Sequence, residues 1–319
     1  MRATIRTGLD NELLPLGRLL DEAREMVSFG DVVAGMNNLF QGLWQSRIES
    51  STEEWRRKTT FCVHHPIRGL VHEDPITRRS YLKPRGYPGD AELLDLIYGD
   101  ASANSSFGDE LSPLGSQIYS FTSRDSSASA VRTRRHILSR LIDEIAPLRR
   151  HPRILSVAAV HLREASFSSA LRDRRIREFV ALDQDEKSLL EAMSCYGRYG
   201  ITTVQSSIRP LLTRKHHLGK FDLIYSTGLY DYLNAATAHR LSAKLFEMLR
   251  PGGLLAVTNF RKNIPAVGYM ESFMDWWLIL RDEDELASLD SEIHPCEVAQ
   301  KRVFVEPNQN IIFLVLSKT

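Results

Sequence analysis

The apolar positions of this chain change period part-way along it. From Thr4 to about Trp55, Leu13, Leu16, Leu19, Leu20, Met26, Val32, Val33, Met36, Leu39, Phe40, Leu43 and Trp44 recur at helical spacing, punctuated by Gly30 and Gly35. This predicts a helical N-terminal region. His64 to Asp90 is rich in Pro, Gly, Arg and His and reads as a loop, ending in Tyr81-Leu82-Lys83-Pro84-Arg85-Gly86-Tyr87-Pro88-Gly89-Asp90. A helix is expected at Ala91 to Tyr98 and a polar loop from Asp100 to Ser112. Val131, Leu138, Leu141, Ile142 and Ile145 then lay an apolar face along a basic helix that stops at Pro147.

After Pro152 the pattern becomes strands alternating with helices. Strands are expected at Ile154 to Val157, Phe179 to Leu182, Ile201 to Val204, Phe221 to Tyr225 and Leu254 to Thr258, with helices at Glu186 to Tyr199 and Ala235 to Leu249. Such alternation specifies a parallel sheet with right-handed crossovers, covered by helices on both faces. Arg302 to Val305 and Ile311 to Leu316 flank the turn Glu306-Pro307-Asn308-Gln309-Asn310 and predict a closing antiparallel hairpin. The expected fold is α/β: a doubly wound, mostly parallel seven-stranded sheet with an antiparallel C-terminal hairpin, preceded by a helical region. The expected division is a helical region over 1–125, with a lid-like loop at 64–90, and a sheet domain over 126–319.

Composition narrows the function classes. At 319 residues the chain exceeds one ordinary domain and can bury a sizeable core. Lys plus Arg number 41 against 40 acids, and no basic tract is interleaved with aromatics, so a nucleic-acid partner is disfavoured. Cys62, Cys195 and Cys296 have no paired spacing for zinc or a disulfide framework, which suits reduced thiols in a cytoplasmic protein. No apolar leader or membrane span is expected. His64, His65 and His72 lack an acid at ligand spacing, so no metal site is expected.

The chemistry concentrates at strand ends. Strand Ile154 to Val157 runs into Ala158-Ala159-Val160-His161-Leu162-Arg163-Glu164, and about 20 residues later a second strand ends in Asp183, the arrangement of a nucleotide-binding βαβ unit. An acid there reaches a ribose, or else N-caps the following helix. Yet the turn holds no glycine, and a β-branched valine at Val160 resists a positive φ. Three readings of Val160 stand open: a turn that tolerates valine, a weakened or lost cofactor site, or an error in the sequence. After the fourth strand, Tyr230, Asp231 and Tyr232 present hydroxyls and a carboxylate, or pack under the next helix.

These residues resemble the class I S-adenosylmethionine-dependent methyltransferases over about Arg153 to Thr319. The resemblance is carried by the turn from Ser156 to Glu164, by Asp183, by Gln205-Ser206-Ser207-Ile208, and by Phe221-Asp222-Leu223-Ile224-Tyr225-Ser226 with Leu249-Arg250-Pro251-Gly252-Gly253. It implies S-adenosyl-L-methionine as cofactor, held by Ser156, Ala158, Val160, Glu164 (on the amino group), Asp183 (on the ribose), Ser207 and Ile208 (beside the adenine) and Ser226. The Pro-Gly-Gly is expected to end a helix in a tight turn before a buried strand.

Asn259-Phe260, the stretch from Gly268 to Ile279 and the loop from Tyr81 to Asp90 are similar to a bacterial branch of that family that includes makers of 3-hydroxypalmitic acid methyl ester, a quorum-sensing signal. That implies a small acyl substrate and carboxyl O-methylation of a 3-hydroxy fatty acid, in control of virulence. Tyr230, Asp231, Asn259 and Glu271 would line the acceptor end as catalytic residues, and Lys83, Arg85 and Tyr269 would bind the substrate. Tyr269, Phe273, Trp276 and Trp277 fall at helical spacing and either roof an acyl pocket or form core. Two other readings remain: an amine or guanidine methyltransferase holding a cation on Asp231, Glu271 and Asp275, and a cofactor-impaired regulatory protein.

Overall fold

In the computed structural model, residues 2–99, 111–213 and 215–319 are described, with side chains from residue 13 onward. Most of the expected loop from Asp100 to Ser112 lies outside them. The chain divides into two units: Met1–Ser129 with Asn263–Trp277, and Ala130–Lys262 with Leu278–Thr319. The first unit therefore recruits a late segment, 263–277, that a single cut near residue 125 leaves with the sheet.

Helices Arg2–Ser28, Val32–Ile48 and Thr52–His64 open the first unit. Gly30 separates the first two at φ 93°, a left-handed conformation glycine takes without strain. Gly35 is no breaker: it lies inside the second helix, where a Cβ would stand 2.7 Å from Val27 Cγ2 and 3.0 Å from the Ala23 carbonyl. Its missing side chain lets two helices approach. Ser51 and Glu54 form a capping box that starts the third helix.

The segment 64–90, expected as a lid-like loop, holds two helices, Ile67–Val71 and Pro75–Leu82, over about half of its length. Asp74 accepts the Ile76 and Thr77 amides ahead of a proline at the helix start, a helix signal that the surrounding Pro and Gly mask. Lys83, at φ 50°, ends this helix, and the residues from there to Asp90 are irregular, as are the short turns at 65–66 and 72–74. Helix Ala91–Tyr98 is capped by Asp90, which Arg79 grips with Nε and Nη2 at 2.8 Å each. The late helix Ala266–Phe273 is buried along its whole length.

The second unit carries a seven-stranded sheet: β1 (Arg153–Val157), β2 (Glu178–Asp183), β3 (Ile201–Gln205), β4 (Phe221–Ser226), β5 (Leu249–Phe260), β6 (Val298–Val305) and β7 (Ile311–Lys318). Their order is β3-β2-β1-β4-β5-β7-β6. The first five are mutually parallel and β7 runs antiparallel between β5 and β6, as the alternating pattern and terminal hairpin predict. β4 is buried at every position, the mark of a strand covered on both faces.

One detail differs: Pro251-Gly252-Gly253 lies within β5. Phe221 pairs with Leu249 and Leu223 with Leu254, so the Pro-Gly-Gly bulges out of the ladder, with Gly252 at φ 69°. The basic helix Ser126–Leu148 likewise runs one residue past Pro147. The hairpin turn is organised by fully buried Glu306, whose carboxylate accepts the amides of Asn308 and Asn310 at 2.6 and 2.8 Å.

Candidate active site

The strand order reverses at β1 and β4, so the loop after β1 and the end of β4 flank the switch point where doubly wound sheets bind ligands. The loop after β1 keeps a glycine-like path without glycine. Ala158, Val160 and Leu162 stand at φ 57°, 47° and 54°, alternate residues in the left-handed region, before a 3₁₀ turn over Arg163–Phe167. The expectation that valine resists a positive φ is overturned at Val160. Each such residue costs about 1–2 kcal/mol, which the surrounding bonds offset.

Those bonds are specific. The Val160 amide donates to Asp183 Oδ2 at 2.9 Å, and the Ala159 amide to the Leu182 carbonyl at 3.1 Å. Asp183 Oδ1 accepts the Asp185 amide at 2.9 Å. Asp185, not Asp183, caps the next helix. Burial raises the Asp183 carboxyl above its usual range, while its amide partners pull it back. Each oxygen retains a lone pair beyond these bonds.

A second buried acid follows on the same loop. Glu164 Oε1 accepts the Tyr225 hydroxyl at 2.5 Å, and burial raises its carboxyl, opposed by Tyr225 and by the charges of Arg134 and Arg135. Ser226, fully buried, donates to the Val157 carbonyl at 2.9 Å, tying the ends of β4 and β1 together. Ser156 is buried on β1, Ser207 is exposed, and Ile208 packs against the sheet's apolar core.

Past β4, the 3₁₀ turn Tyr230–Tyr232 is bracketed to β5. Asp231 Oδ1 accepts the Phe260 amide at 2.6 Å, and burial pushes its carboxyl up to about 7 against the charges of Arg134 and Arg281. The Tyr230 hydroxyl, fully buried, sits 3.0 Å from Ser242 Oγ, and burial raises it too. Asn259 Nδ2 donates to the Phe260 and Ile279 carbonyls at 2.8 Å, and its Oδ1 accepts from Arg281. Arg281 also donates to the Tyr230 and Leu233 carbonyls at 2.7 and 2.6 Å.

The other expected residues lie in the first unit. Glu271 receives Arg47 Nε at 2.8 Å, Arg47 Nη2 at 3.3 Å and Trp55 Nε1 at 2.5 Å. Lys83 pairs with Asp275 and Arg85 with Glu92. Tyr269 is core: it stacks on Phe40 at 4.4 Å between ring centroids, with its hydroxyl 2.8 Å from Thr77 Oγ1.

The second unit thus gathers Ser156, Ala158, Val160, Glu164, Asp183 and Ser226 with Tyr230, Asp231 and Asn259, while Glu271, Lys83, Arg85 and Tyr269 belong to the first. Three partners went unrecognised in the sequence: Tyr225, Arg281 and Arg134. Tyr225 reads as an ordinary strand residue, and no sequence signal separates Arg134 from the other arginines of its helix. Among the described residues, no cluster of three His, Cys, Asp or Glu side chains suits a metal ion, and no helix is long and apolar enough to cross a membrane.

No protein-family model matches the chain, and no curated protein matches it. Solved structures do. A possible exported protein from Bordetella parapertussis superposes with a TM-score of 0.61 at 16% identity, covering 97% of this chain and 96% of that one. A putative O-methyltransferase from Nostoc punctiforme gives 0.47 at 14%, over 100% and 99% of the two chains. The magnesium protoporphyrin IX methyltransferase of Synechocystis, with bound S-adenosylhomocysteine, gives 0.47 at 10%, over 72% and 100%. The first likeness is one of fold.

Proposed function

We propose that this chain is an S-adenosylmethionine-dependent methyltransferase whose cofactor lies at the β1/β4 switch point. The observation that carries the reading is the loop after β1: its alternate left-handed residues keep a ligand-cradling path, fixed by the Val160 amide on Asp183. The donor set suits the cofactor. Asp183 keeps acceptor capacity for ribose hydroxyls, Glu164 for an ammonium, and Ser156, Ala158, Val160, Ser207, Ile208 and Ser226 complete the resemblance.

The bound sulfonium supplies an electrophilic methyl for in-line transfer. The chain's own residues then need only hold and align the reactants and exclude water. A carboxylate acceptor, with a solution pKa of about 4, is ionised at neutral pH and needs no base. That agrees with a site whose acids, Glu164 and Asp231, are buried and engaged with Tyr225 and Phe260 rather than presented as bases. We therefore read the acceptor as the carboxyl of a 3-hydroxy fatty acid, giving a methyl ester of the quorum-sensing kind. The amine reading loses two of its three carboxylates, since Glu271 and Asp275 are matched by Arg47 and Lys83.

Titration calorimetry of the full chain with S-adenosylhomocysteine tests the cofactor. Micromolar binding is expected, and no binding would favour a regulatory protein without cofactor. Mass spectrometry after incubation with S-adenosylmethionine and 3-hydroxypalmitic acid tests the acceptor. A product heavier by one methyl group is expected; methylated amines with untouched acid would reverse the acceptor.

A further inference from the structure

We infer that Cys296 is a modification site: an exposed nucleophilic thiol whose proton His294 takes, set to react with hydroperoxides. The three cysteines of the chain stand in three different environments. Cys62 is fully buried, and burial pushes its thiol up to about 12. Cys195 is half-buried with its S–H on Glu191 Oε1 at 3.3 Å, and burial raises it, as does that carboxylate. Both environments keep the proton on sulfur, and a thiol is a poor nucleophile beside its thiolate. Cys296 is exposed, and its sulfur lies 2.8 Å from Nδ1 of His294, itself exposed.

Local geometry sets the direction of that bond. The same Nδ1 accepts the Cys296 amide at 3.4 Å and caps the 3₁₀ turn Pro295–Glu297. It is therefore the unprotonated nitrogen of the ring, and the thiol is the donor. The turn is fastened from behind. The Thr319 amide donates to the Glu297 carbonyl and the Thr319 hydroxyl to the Cys296 carbonyl, both at 2.9 Å, which holds the cysteine backbone beside the imidazole. Pro295 and Val298, which bracket Cys296 and Glu297, line a hollow of about 370 Å³ walled also by Asp290, Ser291, Ile293 and Lys301. A small reagent can rest there, against the segment that carries the thiol.

The step balances with hydrogen peroxide as the oxidant. The Cys296 proton passes to His294 Nδ1 and the sulfur attacks one peroxide oxygen. An S–O bond forms as the O–O bond breaks, and the leaving hydroxide takes the imidazolium proton to become water. Sulfur is oxidised to a sulfenic acid while the peroxide is reduced. A thiol left to itself is only a few per cent ionised near pH 7, so a base at hydrogen-bond distance is worth about 10-fold in rate.

Treating the full chain with hydrogen peroxide and dimedone, a trap for sulfenic acids, and reading each cysteine by peptide mass spectrometry tests this. Near pH 7 Cys296 should be trapped ~10-fold faster in the folded chain than in the same chain unfolded in guanidinium chloride, whereas Cys62 and Cys195 should be slower folded than unfolded. His294→Asn keeps an acceptor for the Cys296 amide but is no base. It should abolish the advantage near pH 7, and the two chains should converge near pH 10, where ordinary thiols ionise unaided. Equal Cys296 rates in folded and unfolded chains, or a His294→Asn chain as fast as wild type near pH 7, overturn the site. Equal slowing of His294→Asn at both pH values overturns the proton transfer and leaves His294 as a cap. A thermal midpoint shows that the variant is folded; should it not be, the folded-to-unfolded ratio of the wild type decides alone.

Discussion

Both units bury acids, and they treat them in opposite ways. Around Glu271 the first unit closes the account locally: Arg47 reaches the carboxylate with two nitrogens and Trp55 with its indole N–H. Around Glu164 and Asp231 the second unit supplies one tyrosine hydroxyl, one backbone amide and an arginine that bonds to neither acid. The first cluster is saturated and needs nothing further to be stable. The second leaves each acid with fewer hydrogen bonds, beside a strained loop at a sheet's switch point.

Glu271→Ala should break the comparison most violently. It leaves the buried Trp55 indole and the part-buried Arg47 guanidinium unmatched and should lower unfolding stability by about 3 kcal/mol, read from denaturant midpoints. S-adenosylhomocysteine affinity of the folded fraction should hold. A stable variant that loses affinity would move Glu271 from scaffold to site.

Asp231→Asn should alter the pH dependence of stability. The carboxyl is raised to about 7 in the folded chain, against about 4 unfolded. Between those values the unfolded chain releases a proton that the native chain keeps, so stability falls as pH rises from about 4 to 7. Glu164 and Asp183, raised by burial, act in the same direction. Thermal midpoints across that window should decline less steeply in the variant, which keeps an acceptor for the Phe260 amide. Parallel curves would mean Asp231 is already ionised in the native state.

Val160→Gly should be a smaller, favourable change. Relief of a left-handed β-branched residue gains about 1–2 kcal/mol, less about 0.4–1 kcal/mol for the freer unfolded chain. Tighter S-adenosylhomocysteine binding in the variant would show that the valine weakens the site; unchanged affinity would show that the loop tolerates it. Lys83→Ala should do least. Its ion pair with Asp275 is partly exposed and contributes under about 1 kcal/mol. A large loss of turnover with fatty acid would restore Lys83 as a substrate ligand.

Much of this contrast was legible in the chain, but unevenly. Asp183 at the end of β2 and the turn before Glu164 were visible because strand, turn and acid are neighbours in sequence. That the valine bends left-handed was not: local preference opposes it, and only the Asp183 carboxylate and the Leu182 carbonyl, more than 20 residues away, hold the path. The helices inside 64–90 were hidden because Asp74-Pro75, a sound helix start, sits among Pro and Gly that signal turns.

The sequence by itself determined the helical N-terminal stripe and the order of the seven strands through to the Glu306 turn, because period, caps and turn chemistry act within a few residues, but not the helices inside 64–90. Tertiary structure alone decided that 263–277 joins the first unit, that Glu271 meets Arg47 and Trp55 across more than 200 residues of chain, and that Arg134 lies among the acids of the second unit. The reason is physical. A charge finds its partner through the folded backbone, and with 41 basic and 40 acidic residues the sequence cannot say which pairs will meet.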